Sequence, residues 1–260
     1  MSVQALRAGA LATAVTAPSS ALAEWGVNLP EGVTSISNTI YDIHMWVFWI
    51  CVVIGVGVFL AILWSVLAYR HSKGAKPAHF HENTTVEIIW TVIPFLILIM
   101  MAIPATGTLV DMYDTSDAEM EIKVTGYQWR WQYEYMDEDI SFFSSADTPR
   151  DAERNLIEKT EDYKYSVDNP LVLPVDTKIR FLITSNDVIH SWWVPEFGWK
   201  QDAIPGFINK NWTKIEEPGT YYGLCAELCG QGHSDMPIEV KAVPKDEYRE
   251  WVAEQTGDDG

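Results

Sequence analysis

At 260 residues the chain has room for one or two domains. Its 36 acidic and 18 basic residues leave a formal charge of −18, and so acidic a chain excludes nucleic acid as a partner because the phosphates would be repelled. The charge is unevenly placed: from Asp111 onward 31 Asp or Glu stand against 14 Lys or Arg, so all but one unit of the net charge lies in the C-terminal part.

In chain order, Arg7 precedes an Ala, Leu and Val stretch that ends in Ala21, Leu22 and Ala23. This small-x-small cleavage pattern predicts a signal peptide over residues 1–23, followed by an exported segment over 24–40. Residues 43–69 and 86–110 are two nearly uninterrupted apolar runs, each longer than the roughly 20 residues that cross a bilayer as a helix. They predict a transmembrane hairpin over 41–110. Pro94 and Pro104 are expected to kink the second span, with neighbouring helices satisfying the freed carbonyls. Cys51 falls inside the first run and reads as a small apolar side chain. The connector carries Arg70, Lys73 and Lys76, which marks it as cytoplasmic and sends both termini to the other side of the membrane. Glu87 stands near the start of the second span. It reads either as a functional carboxylate at the membrane boundary or as a helix-start residue beside an Asn83 or Thr84 cap.

Residues 111–260 carry period-two patterns at 120–125, 127–136, 171–175, 178–184, 211–215, 220–224 and 238–243. A domain of short strands with turn signals between them predicts a two-sheet antiparallel sandwich. Between 140 and 170 the alternation lapses, which predicts a surface insertion, and 246–254 reads as a short terminal helix. The run 126–135 is rich in aromatic residues, for which strand packing is the simplest account.

The most chemically loaded stretch is 225–236, with Cys225, Glu227, Cys229, His233, Asp235 and Met236. Gly223, Gly230, Gly232 and Pro237 break any helix drawn through it, so these residues belong to a loop between two strands. Two thiolates, an imidazole and a thioether form a soft donor set that favours copper; zinc is the rival, but Met is a poor zinc ligand. A disulfide between Cys225 and Cys229 is the other reading open to an exported pair. His190, after the strand pattern at 178–184, is the candidate for a further ligand from a neighbouring strand end.

With His190, Ser191 and Trp192 beside it, the 225–237 loop closely resembles the dinuclear copper (CuA) loop of subunit II of the haem–copper cytochrome c oxidases. The resemblance extends from about residue 40 to about residue 251. It implies a cupredoxin fold. It also implies that Cys225 and Cys229 bridge two copper ions, that His190 and His233 each cap one, that Met236 is a weak axial ligand and that Glu227 binds through its carbonyl. The Glu227 side chain is implied in a magnesium or manganese site shared with subunit I. Trp129 matches the tryptophan that receives electrons from cytochrome c, and Glu87 matches the glutamate at the mouth of a proton pathway. Glu134, Asp168 and Asp187 match acidic docking positions for cytochrome c. Asn186 stands where the family often has a second carboxylate, and Arg130 where it commonly has Tyr.

The expected protein is a two-helix transmembrane hairpin plus an all-β cupredoxin-like sandwich domain, in the bacterial inner membrane with the copper domain and both termini periplasmic. Its expected partners are subunit I, other oxidase subunits, cytochrome c and the lipid bilayer. It would pass single electrons towards haem in subunit I, where oxygen is reduced and protons are moved. A quinol oxidase subunit would lack the metal ligands, and a soluble nitrous oxide reductase would lack the two spans. A copper sensor or delivery module would have little use for Trp129 and Glu87.

Overall fold

The computed structural model describes residues 28–76, 79, 81–160 and 163–257. The chain divides into two units, 1–30 and 31–260. The expected signal peptide lies outside the described residues, and all that follows concerns the second unit.

Helix α1 (Ser35–Ala68) begins eight residues earlier than the apolar run suggests. Its start is set by a capping box: the Thr34 hydroxyl accepts from Ser37 N at 3.0 Å and the Ser37 hydroxyl accepts from Thr34 N at 3.0 Å. Helix α2 (Thr84–Tyr113) is capped by Asn83, whose side chain accepts from Val86 N at 3.2 Å. It continues without interruption through Pro94 and Pro104. Along most of their length both helices expose apolar side chains on every side, as a lipid-facing or partner-facing helix does and a soluble one does not.

Ten strands follow. They are β1 (Met120–Tyr127), β2 (Arg130–Tyr135), β3 (Ile140–Ser144), β4 (Leu171–Pro174), β5 (Ile179–Ser185), β6 (His190–Val194), β7 (Trp199–Ala203), β8 (Asn209–Thr213), β9 (Gly219–Cys225) and β10 (Pro237–Val243). A one-turn helix α3 (Arg150–Glu153) sits in the 145–168 excursion and α4 (Lys245–Thr256) ends the described chain. The strands form two five-stranded sheets, ordered β3-β2-β1-β5-β8 and β4-β10-β9-β6-β7. Ile122, Val124, Trp131, Tyr133, Phe181 and Ile183 from the first sheet and Leu171, Trp192, Val194, Ile238 and Val240 from the second fill the core.

The sandwich is mixed rather than antiparallel, because β1 pairs with β5 and β4 with β10 in parallel. Both parallel pairs join strands far apart in sequence, as parallel pairing requires a long crossover. Three strands escape the period-two reading for local reasons. β3 and β7 alternate in burial but not in polarity, with Phe143 exposed and Ser144 buried in β3 and Gln201 turned partly inward in β7, and β6 is buried at four of its five positions, so none shows a clean apolar pattern. Residues 128 and 129, expected inside a strand, form the turn between β1 and β2.

That turn, the β5–β6 loop, the β7–β8 loop and the β9–β10 loop are tied together at one end of the sandwich. Gln128 N donates to the Asp187 carboxylate at 2.7 Å, Gln128 Nε2 donates to Cys229 O at 2.8 Å, and Ser185 bridges to Pro205.

Candidate metal centre

β9 ends at Cys225 and β10 begins at Pro237, so the eleven residues between them are held at both ends by one ladder. Cys225 N donates to Met236 O at 3.1 Å, which closes the loop at its base, and Ala226 N donates to Ser191 O at 2.9 Å, which fastens it to β6. Inside the loop His233 N bonds Gly230 O and Asp235 N bonds Gly232 O. Gly230 has φ of +120°, a backbone state that only glycine enters readily, and a Cβ at Gly232 would lie 2.5 Å from the Trp129 ring. The two glycines therefore let the loop fold tightly under Trp129.

The donors converge. Cys225 Sγ lies 3.8 Å from Cys229 Sγ, 3.9 Å from His190 Nδ1 and 3.4 Å from Glu227 O, and Cys229 Sγ lies 3.6 Å from His233 Nδ1. His190, Cys225, Cys229 and Met236 are all buried. Both cysteines are free thiols, so the disulfide reading is not what the chain adopts. Among the described residues, His190, Cys225 and Cys229 form the one group whose ligand atoms lie within 4.8 Å of one another. Buried, paired thiols with an imidazole on each side suit a soft or borderline metal, and copper fits this donor chemistry.

His190 is held from behind. Its Nε2 lies 2.9 Å from Asp187 Oδ1, which leaves Nδ1 for the sulfurs, and the Trp131 ring packs edge-on at 5.9 Å between centroids. A carboxylate on the far nitrogen of an imidazole fixes its tautomer and orientation. Burial disfavours a charged His190, but hydrogen bonds with Cys225 and Asp187 outweigh it and raise its pKa above the usual value. Burial likewise opposes ionisation of Asp187 and Cys225, and hydrogen bonds reverse it: His190, Val188 N and Gln128 N lower the Asp187 pKa, and His190 and two backbone groups lower that of Cys225. Cys229 goes up, because of burial and the negative charge developing on Cys225. The protein thus favours one thiolate, and a bound cation would have to draw off the second proton.

Gly126 supplies the remaining wall: a Cβ there would meet His190 Cδ2 at 2.7 Å. Gly126→Ala is expected to displace the imidazole, to destabilise the fold by about 1–3 kcal/mol as overpacking does, and to weaken metal binding. Thermal unfolding with and without metal tests this; an alanine variant with unchanged metal affinity would show that the imidazole tolerates the shift.

The other anticipated residues have separate settings. Trp129 is 36 % exposed, and its Nε1 donates to Cys229 O at 3.3 Å, so the ring lies between solvent and a metal-loop peptide. Asp187 directs both carboxylate oxygens to groups of the site, Gln128 N among them. Glu134 pairs with Lys123 at 2.7 Å, and Asp168 accepts from Ser145 N at 2.7 Å. The Glu227 side chain is exposed. Glu87 is far along the chain at the other end of α2, where its carboxylate accepts from Asn83 N at 3.2 Å, the helix-start arrangement. Sequence reading missed Gln128, Gly126 and the orienting task of Asp187. The one available signal was the spacing of Asp187 three residues before His190 in a short turn.

Residues 120–243 match the family model for the periplasmic domain of cytochrome c oxidase subunit II, and residues 22–107 match that for its transmembrane domain. A "probable cytochrome c oxidase subunit 2" of Rickettsia bellii is 37% identical over 230 residues, covering 88% of this chain and 84% of the relative. This chain belongs to the cytochrome c oxidase subunit II family. The subunit 2 of Cereibacter sphaeroides is 36% identical over 245 residues, with 89% and 81% covered. The crystal structure of the subunit II periplasmic domain of Bradyrhizobium japonicum is 37% identical, covers 56% of this chain and 99% of that one, and superposes with a TM-score of 0.49. As a subunit II, the chain is a membrane component of a cytochrome c oxidase, and its two apolar helices and β-sandwich are the two parts of that family's architecture.

Proposed function

We propose that this subunit accepts electrons one at a time from cytochrome c at a dinuclear copper centre and passes them to haem in subunit I. The observation that carries the reading is the pair of free, buried thiols 3.8 Å apart, each with an imidazole nitrogen within 3.9 Å, beneath a half-exposed tryptophan.

When bound, two copper ions held by Cys225, Cys229, His190, His233, Met236 and the Glu227 carbonyl would supply a one-electron carrier with its charge shared between the metals. The protein's part is to exclude water and hold the donors still. Asp187 and Trp131 keep His190 in one orientation, the β9–β10 ladder fixes Cys225 and Met236, and Gln128 and Trp129 both bond the Cys229 carbonyl. Rigid ligands change little between oxidation states, which keeps the reorganisation cost of electron transfer low. Trp129 offers its exposed ring to the donor and one hydrogen bond to the peptide of a sulfur ligand.

The acidic periplasmic part favours a basic donor, and long-range attraction raises its association rate at low salt. In this reading Glu134 and Asp168 contribute to that surface, and Asp187 acts as well on His190. The Glu227 carboxylate supplies one oxygen to a magnesium or manganese ion shared with subunit I. Glu87 stands at the cytoplasmic mouth of a proton pathway formed mainly by the partner, and the basic 70–76 connector keeps that end of the hairpin on the cytoplasmic side of a bacterial inner membrane. Residues 1–23 are a signal peptide in the same reading.

Copper analysis and electron paramagnetic resonance on the purified oxidase test the assignment. Two coppers per chain with one unpaired electron delocalised over both are expected. A single localised copper, or colourless zinc in fully loaded material, would refute it.

A further inference from the structure

The 145–168 excursion is more than a surface insertion. Residues 145–160 leave β3 and make the single turn of α3, and residues 163–168 lie back beside that start, where Ala146 bridges to Val167 and Asp147 N bonds Ser166 O at 3.1 Å. Its return arm also reaches the sheet that carries the metal loop: Val167 N donates to Glu239 at 3.2 Å, and Tyr165 lies against Tyr222 at 5.9 Å between ring centroids. Between these anchors, Lys164 projects Nζ to 2.5 Å from Asp235 Oδ1 and 3.8 Å from Glu153 Oε1. Lys164, Asp235, Glu153, Thr148, Ser234 and Ala146 line one cleft of about 160 Å³.

Two features set this ion pair apart from an ordinary surface contact. Lys164 has φ of +67°, a left-handed state that costs an L residue about 1–2 kcal/mol, so the excursion is bent to deliver this side chain. Its backbone N–H is fixed by Thr148 Oγ1 at 3.2 Å, which aims the arm. Asp235, for its part, lies between His233 and Met236, in the half of the loop that follows Gly230 and Gly232. The other half is secured by Gln128, Trp129 and Ser191; this half has the base contact at Met236 and two internal turns. Trp129 packs over Gly232, but among the described residues the side-chain hydrogen bond that reaches 233–236 from outside the loop is that of Lys164, and ordering residues that follow two glycines costs conformational entropy.

We propose that the 163–168 arm of this excursion is a strap whose Lys164 acts as a positioning residue, holding the 233–236 half of the metal loop through Asp235. The inference rests on the copper reading above and adds to it a device outside the ligand set. Loss of the strap frees His233 and Met236 to move while His190 and the two cysteines stay in place.

Copper-loaded full-length subunit in its oxidase assembly, challenged with excess chelator, tests this. Outer-shell partners are worth about 10–100-fold in metal affinity and exposed ion pairs much less. For a half-exposed pair, Lys164→Met and Asp235→Asn should therefore each release copper about five- to ten-fold faster. The double variant should be no faster than either single one, and Lys164→Arg should restore the slow rate. Nitrogen couplings in pulsed resonance spectra should change for one imidazole, His233, and persist for His190, a selectivity that general destabilisation would not produce. Should Lys164→Met fail to assemble, Asp235→Asn alone carries the same reading. Release at the wild-type rate with both couplings unchanged overturns the strap while leaving the copper assignment intact. Wild-type protein that binds no copper overturns both.

Discussion

Cys225→Ser is expected to strip the subunit of copper and to bring cytochrome c-driven oxygen uptake down to background. Cys225 is the hub of the site, within 3.9 Å of His190 Nδ1, Cys229 Sγ and the Glu227 carbonyl. Serine keeps the size of the side chain but replaces a soft, readily ionised sulfur with a hard hydroxyl that does not ionise near neutral pH. The loss in copper affinity should exceed the roughly 10–100-fold that removal of an outer-shell partner costs. The fold should survive, because the β9–β10 ladder and the Ala226–Ser191 contact use backbone groups that serine leaves alone. Metal analysis beside oxygen uptake separates the effects: a small artificial reductant that feeds haem directly should still drive uptake, while cytochrome c should not. A serine variant that keeps two coppers and its turnover would remove Cys225 from the ligand set.

Trp129→Ala is expected to retain copper and to lose electron delivery. The ring is exposed on one side, packs over Gly232 on the other and donates to Cys229 O, so a docking partner would meet it directly. A central tryptophan at an interface contributes about 2 kcal/mol or more, which is about 30-fold in the second-order rate constant with cytochrome c. The route through the indole is lost as well, so the observed drop should be larger than the docking term alone. Stopped-flow reduction at several salt concentrations checks this. A variant that accepts electrons at the native rate would assign Trp129 to packing. Trp129→Phe keeps ring area but lacks the N–H donor, and it should fall between the two.

Much of this was readable from residue spacing. The apolar runs gave the hairpin because a bilayer-length run has few other physical uses, and the glycines and Pro237 around Cys225, Cys229 and His233 placed those residues on a loop between strands. What stayed hidden depends on tertiary neighbours. Parallel pairing of β1 with β5 leaves no mark in either strand, since both show the same alternation in either direction. β6 carries polar His190 and Ser191 side by side and both buried, so its sequence does not sort into one apolar and one polar face. Asp187 reads as surface charge, and its contact with His190 exists only because the β5–β6 turn folds back on itself. The ion pair between Lys164 and Asp235 joins residues 71 apart, and neither has a local pattern that points to the other.

Thr34 ends the apolar anchor in an unusual way. Its hydroxyl caps α1 and also donates to Phe197 O, its backbone bridges to Ile215, and Gly198 leaves room for Ser37 to press against the β6–β7 turn. No slack tether separates lipid-embedded helix from sandwich at this joint, so the cupredoxin unit cannot swivel like a flag on a rope. The distance of the metal loop from the end of α1 is then a mechanical constant of the chain, set by helix geometry rather than by diffusion of a loosely leashed module. A soluble fragment beginning near residue 118 would lose this seat and leave the Phe197 carbonyl and the edge at Ile215 open to water, a cost that any measurement on the isolated part would carry with it.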